Sequence, residues 1–280
     1  MKSLLRASAV LSLILAAGTC YAQDANDQDR AKIDARPAGP DGALQGNNAK
    51  PEIGAGMQDA DAKALLEKSR DAIMKAKTLQ FDLSAPQIGL MGGDRSPKNV
   101  KAKMQMVRND TGQWLIRMIG NGTVARESTP TEFDVFWERQ AITWVDHQAK
   151  TVYTRPFGQA RQLKTLQMIN GLRMPTITGD RPLGEEIGQS VLKIVGVEDI
   201  GGVPCDVVVA GTSLEGQGNR KKIWIAKSDS IPRRIDNIID SKLINASVTL
   251  EITNLKLDES LDRAAIEVKT PDGYAVDKTE

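Results

Sequence analysis

The chain has 280 residues, with 37 Lys and Arg against 36 Asp and Glu, one histidine and two cysteines. A net charge of +1 with no tract of like charges excludes the basic stripe that releases counterions from phosphates, so no nucleic-acid partner is expected. Two cysteines exclude a disulfide-stapled scaffold, and a 40 % hydrophobic composition supports one sizeable core.

Residues 1–22 read as a secretory signal peptide. Lys2 and Arg6 precede an apolar run from Ala7 to Ala17, and Cys20-Tyr21-Ala22 places small residues at −3 and −1 of a cleavage site. The run is shorter than the roughly 20 apolar residues that span a bilayer. Acylation of Cys20 is the alternative, but branched Thr19 stands where a small residue is expected. With no second hydrophobic span, the mature chain is expected to be periplasmic, soluble and not membrane-spanning. Residues 23–57, with Pro37, Pro40 and Pro51 among Gly, Asn, Asp and Ala, have almost nothing to bury. They read as a disordered linker, or alternatively as a partner-binding tail. Residues 58–280 are left as one domain.

That domain opens with an amphipathic helix over 60–77. Ala62, Leu65, Leu66, Ser69, Ala72, Ile73 and Ala76 share one face, and Asp59 or Asp61 can cap its start. The period then changes to two. Leu79, Phe81 and Leu83 alternate, as do Val100, Ala102, Met104 and Met106. A turn at Asp110-Thr111-Gly112 leads to Trp114, Ile116 and Met118 on one face, with Leu115, Arg117 and Ile119 on the other. "EFDVFW", "AITWVD" and "TVYT" are further short antiparallel strands.

The pattern breaks over 158–190. A short helix carrying Leu163, Leu166 and Ile169 is expected there, followed by irregular chain with Gly171, Pro175, Gly179 and Pro182. Loops of this length are usually lids, binding loops or disordered. Strands resume with "VLKIVGVEDI" and "VPCDVVVAGT", joined by a Gly201-Gly202 hairpin turn, then "RKKIWIAK", "RRIDNIID" and "ASVTLEITNLKLD". In the last, Val248, Leu250 and Ile252 have opposite parity to Leu255 and Leu257, which predicts a β-bulge near Asn254.

Candidates for chemistry are few. Cys205 shares a strand face with Val203, Val207 and Val209, so a buried, inert thiol is expected. His147 lies in a turn with no activating neighbour. No metal-ligand spacing, phosphate loop or cofactor motif is present, and neither a cofactor nor catalysis is expected. Met104, Met106 and Met118 can face one interior, with Met91, Met168 and Met174 flanking it. Methionine adapts to irregular apolar ligands but is also ordinary core filler.

The alanine-rich helix ending in "KAKTLQFDLS", followed by "GGVPCDVVV", "KKIWIAKSDSIPRRI" and "AAIEVKTPDGYAV", resembles the LolA/LolB/LppX-like periplasmic lipoprotein-carrier superfamily. Within it, the chain is similar to predicted periplasmic proteins of unassigned function. The resemblance covers residues 60–278; most members have Phe where this chain has Ile266. It implies an α+β fold, a strongly curved antiparallel sheet (an unclosed β-barrel) with helices on its concave face. It also implies an apolar cavity holding acyl chains, with 158–190 as its lid. The cavity candidates are then Met104, Met106, Trp114, Ile116, Met118, Leu163, Leu166 and Ile169. The partner would be a lipid or lipidated protein. The alternative is a protein-binding or regulatory module of the cell envelope with the same fold and no lipid ligand.

Overall fold

The computed structural model describes residues 58–89, 96–215, 218–241 and 245–278. The expected leader and linker, and Met91, lie outside the described residues.

Helix α1 runs Ala60–Lys75. The Asp59 side chain accepts from the Asp61 N–H, which selects Asp59 of the two candidate caps. Its C-terminus is held by Arg108, whose guanidinium donates to the Ile73 carbonyl at 3.0 Å and the Ala76 carbonyl at 2.9 Å. Cationic groups are favoured at that end, where carbonyls lack intrahelical partners. Ala62, Leu66, Ser69 and Ile73 form the buried stripe.

Six strands follow: β1 (Thr78–Gln87), β2 (Lys98–Arg108), β3 (Trp114–Thr123), β4 (Pro130–Glu138), β5 (Ala141–Asp146) and β6 (Thr151–Pro156). An excursion interrupts them, with a 3-10 turn at Phe157–Gln159 and three short helices, α2 (Leu166–Gly171), α3 (Pro175–Thr178) and α4 (Gly184–Ile187). Strands β7 (Val191–Ile200), β8 (Val203–Gly211), β9 (Gly218–Ala226), β10 (Pro232–Asp240) and β11 (Asn245–Leu257) complete the meander, and α5 (Arg263–Ile266) and β12 (Ala275–Lys278) end it.

All twelve strands belong to one sheet in the order β12-β6-β5-β4-β3-β2-β1-β11-β10-β9-β8-β7. Pairing is antiparallel except at β12–β6. The edge strands β12 and β7 do not meet, so the barrel is not closed. One face carries Leu79, Phe81, Met104, Ile116, Val135, Ile142, Val208, Ile223, Ile235 and Leu250 into a single hydrophobic cluster with α1 and the excursion. Ile142 of β5 and Val208 of β8 belong to that one cluster, and a sheet of this width twists and curls rather than lying flat.

Two local expectations have a clear structural cause. At the Gly201-Gly202 turn φ is 60° and 85°, the two positive values that a type I′ hairpin requires. In β11, Gln80 faces Lys256 while Asp82 faces Thr253, so two residues, Asn254 and Leu255, oppose one, Phe81, and the register shifts. Asn254 takes φ 52° there, and its amide donates to the Asp82 carboxylate at 2.7 Å. The extra residue lets both the Leu250/Ile252 pair and the Leu255/Leu257 pair reach the main cluster.

The outer face carries two smaller clusters. Cys205, Val207, Trp224 and Ala226 form one. The Trp224 indole donates to Glu198 at 2.8 Å, and Lys222 and Arg234 lie over its ring, each 4.6 Å from the centroid. Leu115, Phe136 and Ile266 form the other. Ile266 belongs to the C-terminal segment, which leaves β11, crosses the outer face and joins the β6 edge. Its fastenings are Asp258 accepting from the Lys77 N–H at 2.6 Å, Arg263 with Glu138 at 2.9 Å, and Arg155 with Asp277 at 2.6 Å.

Cys205 is fully buried, and burial pushes its thiol up from the ordinary value. Cys205→Ala should cost about 1 kcal/mol in denaturant unfolding, and the native thiol should resist an aqueous alkylating reagent until the protein unfolds.

Candidate functional site

The candidate site is the interior between the sheet and the excursion. On the sheet side, Met104 pairs with Phe81 and Met118, and Met106 pairs with Leu79 and Ile116. Strand alternation turns all three methionines inward with Trp114 and Ile116, and each of the five is buried.

On the opposite side the excursion differs from the helix expected of it. α2 begins at Leu166; Leu163 lies in the preceding turn, where its N–H donates to the Ala160 carbonyl. Leu163 and Leu166 are half-buried at the margin of the cluster, while Ile169 is buried within it. Met168, Leu172, Met174, Ile177 and Leu183 supply most of the roof. Sequence periodicity missed Leu172, Ile177 and Leu183. The helices bearing Ile177 and flanking Leu183 are four residues long, and the bends before them place Met174 and Leu183 at φ 41° and 57°.

The roof lies close on the sheet. A Cβ at Gly122 of β3 would stand 2.6 Å from the Met168 sulfur. Gly171, in the stretch expected to be irregular, is pressed against Ile88, with 2.0 Å between a Cβ built there and that side chain. Glycine at these two points permits contact rather than bending.

Polar contacts pin the excursion. Glu186, 3 % exposed, accepts from the Thr176 hydroxyl at 3.0 Å and from the Lys221 ammonium on β9. In the bend between α2 and α3 the Arg173 guanidinium lies 3.9 Å from the Trp137 ring centroid and 4.4 Å from that of Phe157. Burial pushes Arg173 down to about 10. Four buried polar atoms, Ser69 Oγ, Trp114 Nε1, Thr165 Oγ1 and Ser213 Oγ, have no hydrogen-bond partner among the described residues.

A cavity of about 90 Å³ opens at the seam between excursion and sheet, lined by Gly171, Met174, Pro175, Thr176, Lys221, Ile235, Asn237 and Leu250. An open groove of about 610 Å³ lies on the outer face beside Phe136, Glu138, Thr143 and Thr154. The eight residues expected to line a cavity gather in one packed cluster, and none of them lines either space.

Chemistry elsewhere is sparse. His147 is exposed, with Nδ1 3.0 Å from the Tyr274 hydroxyl. Among the described residues, no three His, Cys, Asp or Glu side chains gather to hold a metal, and no helix is long and apolar enough to cross a membrane.

No protein-family model matches the chain, and no curated protein matches it. Solved structures do. LprF from Mycobacterium bovis is 13 % identical with a TM-score of 0.46, the match covering 79 % of this chain and 100 % of that one. MucB is 11 % identical with a TM-score of 0.49, over 75 % of this chain and 64 % of MucB. The Mycobacterium tuberculosis lipoprotein LppX is 13 % identical with a TM-score of 0.44, over 73 % and 99 %. Each similarity is at low identity, and the open, mostly antiparallel sheet stands on the strand order of this chain itself.

The Glu186–Lys221 contact offers a direct test of how the excursion is held. Glu186→Gln removes the carboxylate charge while keeping an acceptor for Thr176. Hydrogen exchange over 166–187 should quicken, with little change in β8–β10. Equal acceleration in both regions would instead mean that the contact supports the whole core.

Proposed function

We propose that the protein is an exported periplasmic binding protein without enzymatic activity, which shelters the acyl chain of a lipid or lipopeptide between the sheet and the 157–190 excursion. The observation that carries this reading is the continuous methionine-bearing apolar face of β1–β3, roofed by a segment of short helices and irregular joints. A 90 Å³ cavity is well below the roughly 300 Å³ at the small end of ligand sites. Entry of a chain therefore requires the excursion to move, and a ligand can drive that only by binding the open arrangement more tightly. Each CH₂ buried contributes about 0.8 kcal/mol, so a chain of about ten methylenes gains several kcal/mol without polar specificity. The leader 1–22 and linker 23–57 belong to this reading, as the export signal and a tether.

The absence of enzymatic activity rests on the groups themselves. The thiol is buried and its ionisation disfavoured, and the lone His147 is engaged with Tyr274 at the surface. Among the described residues, the thiol's hydrogen bond goes to the Val203 carbonyl, not to an activating base.

A second reading, a protein-binding module of the envelope, is favoured by the closed interior together with the β7 edge. Among the described residues, the outer side of β7 is bridged only where the Asp59 N–H donates to the Leu192 carbonyl. Further along, Val195 and Val197 are 47 % and 59 % exposed. An extended peptide could add there as a strand. Val195→Glu with Val197→Glu should abolish a stoichiometric complex formed this way and leave acyl-chain uptake intact.

Mass spectrometry of organic extracts from protein purified out of its own periplasm should return a stoichiometric acyl compound under the first reading. The matching variant is Met106→Lys. An unpaired ammonium opposes a hydrocarbon ligand more than a partly hydrated empty site. Uptake of a fluorescent fatty-acid probe should fall at least about tenfold while circular dichroism stays native. Undiminished uptake by a folded variant would remove Met106 from the site.

A further inference from the structure

Arg173 stands in the bend between α2 and α3, flanked by buried Leu172 and Met174. Trp137 and Phe157, whose ring centroids are 5.6 Å apart, both face its guanidinium. Aromatic faces attract the charge. They do not use the five N–H donors of the fork, which suit carboxylate or phosphate oxygens.

Among the described residues, no carboxylate or carbonyl accepts from the Arg173 side chain. The other arginines with low exposure are served differently. Arg108 donates to the carbonyls of Ile73 and Ala76, Arg117 to Asp134, Arg155 to Asp277, Arg233 to Asp229 and Arg234 to Asp236. Hydrogen bonds from Arg117 and Arg234 to their carboxylates raise those guanidinium groups, whereas desolvation lowers Arg173. The bend that presents Arg173 is held in place, because the Thr178 hydroxyl donates to the carbonyls of Arg173 and Met174. A fixed cation with unused donors therefore stands where the surface meets the apolar interior.

We propose that Arg173 is the anion-recognition point of the ligand site, receiving the phosphate or carboxylate head of an amphiphile whose chain enters the apolar interior. The proposal rests on the acyl-binding reading above. Either oxyanion can take two parallel N–H bonds from the fork, and the two rings shield one side of that pairing from water. The neighbouring Met174 also lines the seam cavity, so head and chain sites are contiguous.

The test titrates the whole protein with dodecyl phosphate, dodecanoate, dodecanol and inorganic phosphate, by calorimetry. It uses wild type, Arg173→Met and Arg173→Lys, with thermal unfolding as the fold control. Wild type should bind the two anionic amphiphiles about tenfold or more tighter than dodecanol. Arg173→Met should lose that advantage, the ratio of anion to dodecanol affinity falling towards one. Arg173→Lys keeps the charge without the planar fork, should keep only part of the advantage, and carries the test if the Met variant does not fold. Equal losses for dodecanol and the anions overturn the proposal and leave Arg173 as a packing anchor of the excursion. Anion binding indifferent to Arg173, with dodecanol still bound, overturns it while the acyl-binding reading stands. Inorganic phosphate bound as tightly as dodecyl phosphate, with dodecanol unbound, overturns the amphiphile and the acyl-binding reading together, leaving a site for the free anion.

Discussion

The alternation of side chains along a strand is the constraint on which this molecule depends. Most strands from β1 to β11 turn a row of apolar side chains to the same side of one sheet. A sheet so made must cover that side. Curling alone brings the two halves towards each other, but β12 and β7 remain apart as edges. The remaining surface falls to α1 and the excursion, which is why both present small or flexible side chains inward. Alanine and serine on α1 let it lie close, and Met168 reaches the sheet over Gly122.

The same constraint explains what could be read from the sequence. Strands announce themselves through period two, so β5 and β7 appear in the sequence with the boundaries they have in the fold. Parity even exposed the bulge at Asn254, since Leu250 and Leu257 could not otherwise share a core. The excursion gave no such signal. Leu172, Ile177 and Leu183 are buried through bends at Met174 and Leu183 that non-glycine residues rarely adopt, and no period survives them. The role of Ile266 was equally hidden. Its pocket is made by Leu115 and Phe136 on the face that alternation assigns to solvent. The methionine face of the candidate site could be read from alternation, whereas Arg173, Glu186 and Lys221 could not, because their partners are remote in sequence.

Electrostatics in this protein are mostly local repairs to a hydrophobic design. Arg108 satisfies helix carbonyls, Arg155 and Arg263 fasten the C-terminal segment, and Lys221 neutralises the buried Glu186. A buried carboxylate is costly to separate from its cation, whereas exposed pairs contribute little. Firm attachment of the excursion is thus concentrated at Glu186, while its central bend relies on rings and a cation. The two points of the roof are held by different physics, one sensitive to loss of a charge and the other to loss of a stacking surface.

The β1–β11 seam has a consequence for how the chain acquires its shape. β1 to β6 form one run of sequential antiparallel neighbours and β7 to β11 another, each assembled from pairings close in sequence. Only the seam, where Leu79 meets Leu257, joins the two runs into one sheet. Closing so long a loop carries an entropic cost that neighbouring hairpins avoid. The two halves can therefore form early and independently, and their union sets the pace. In a chain that emerges from its amino end, β1 must wait with one edge bare until β11 arrives, and the β6 edge waits longer still for β12. The interval before the final residues appear is when this sheet is most open to pairing with another chain.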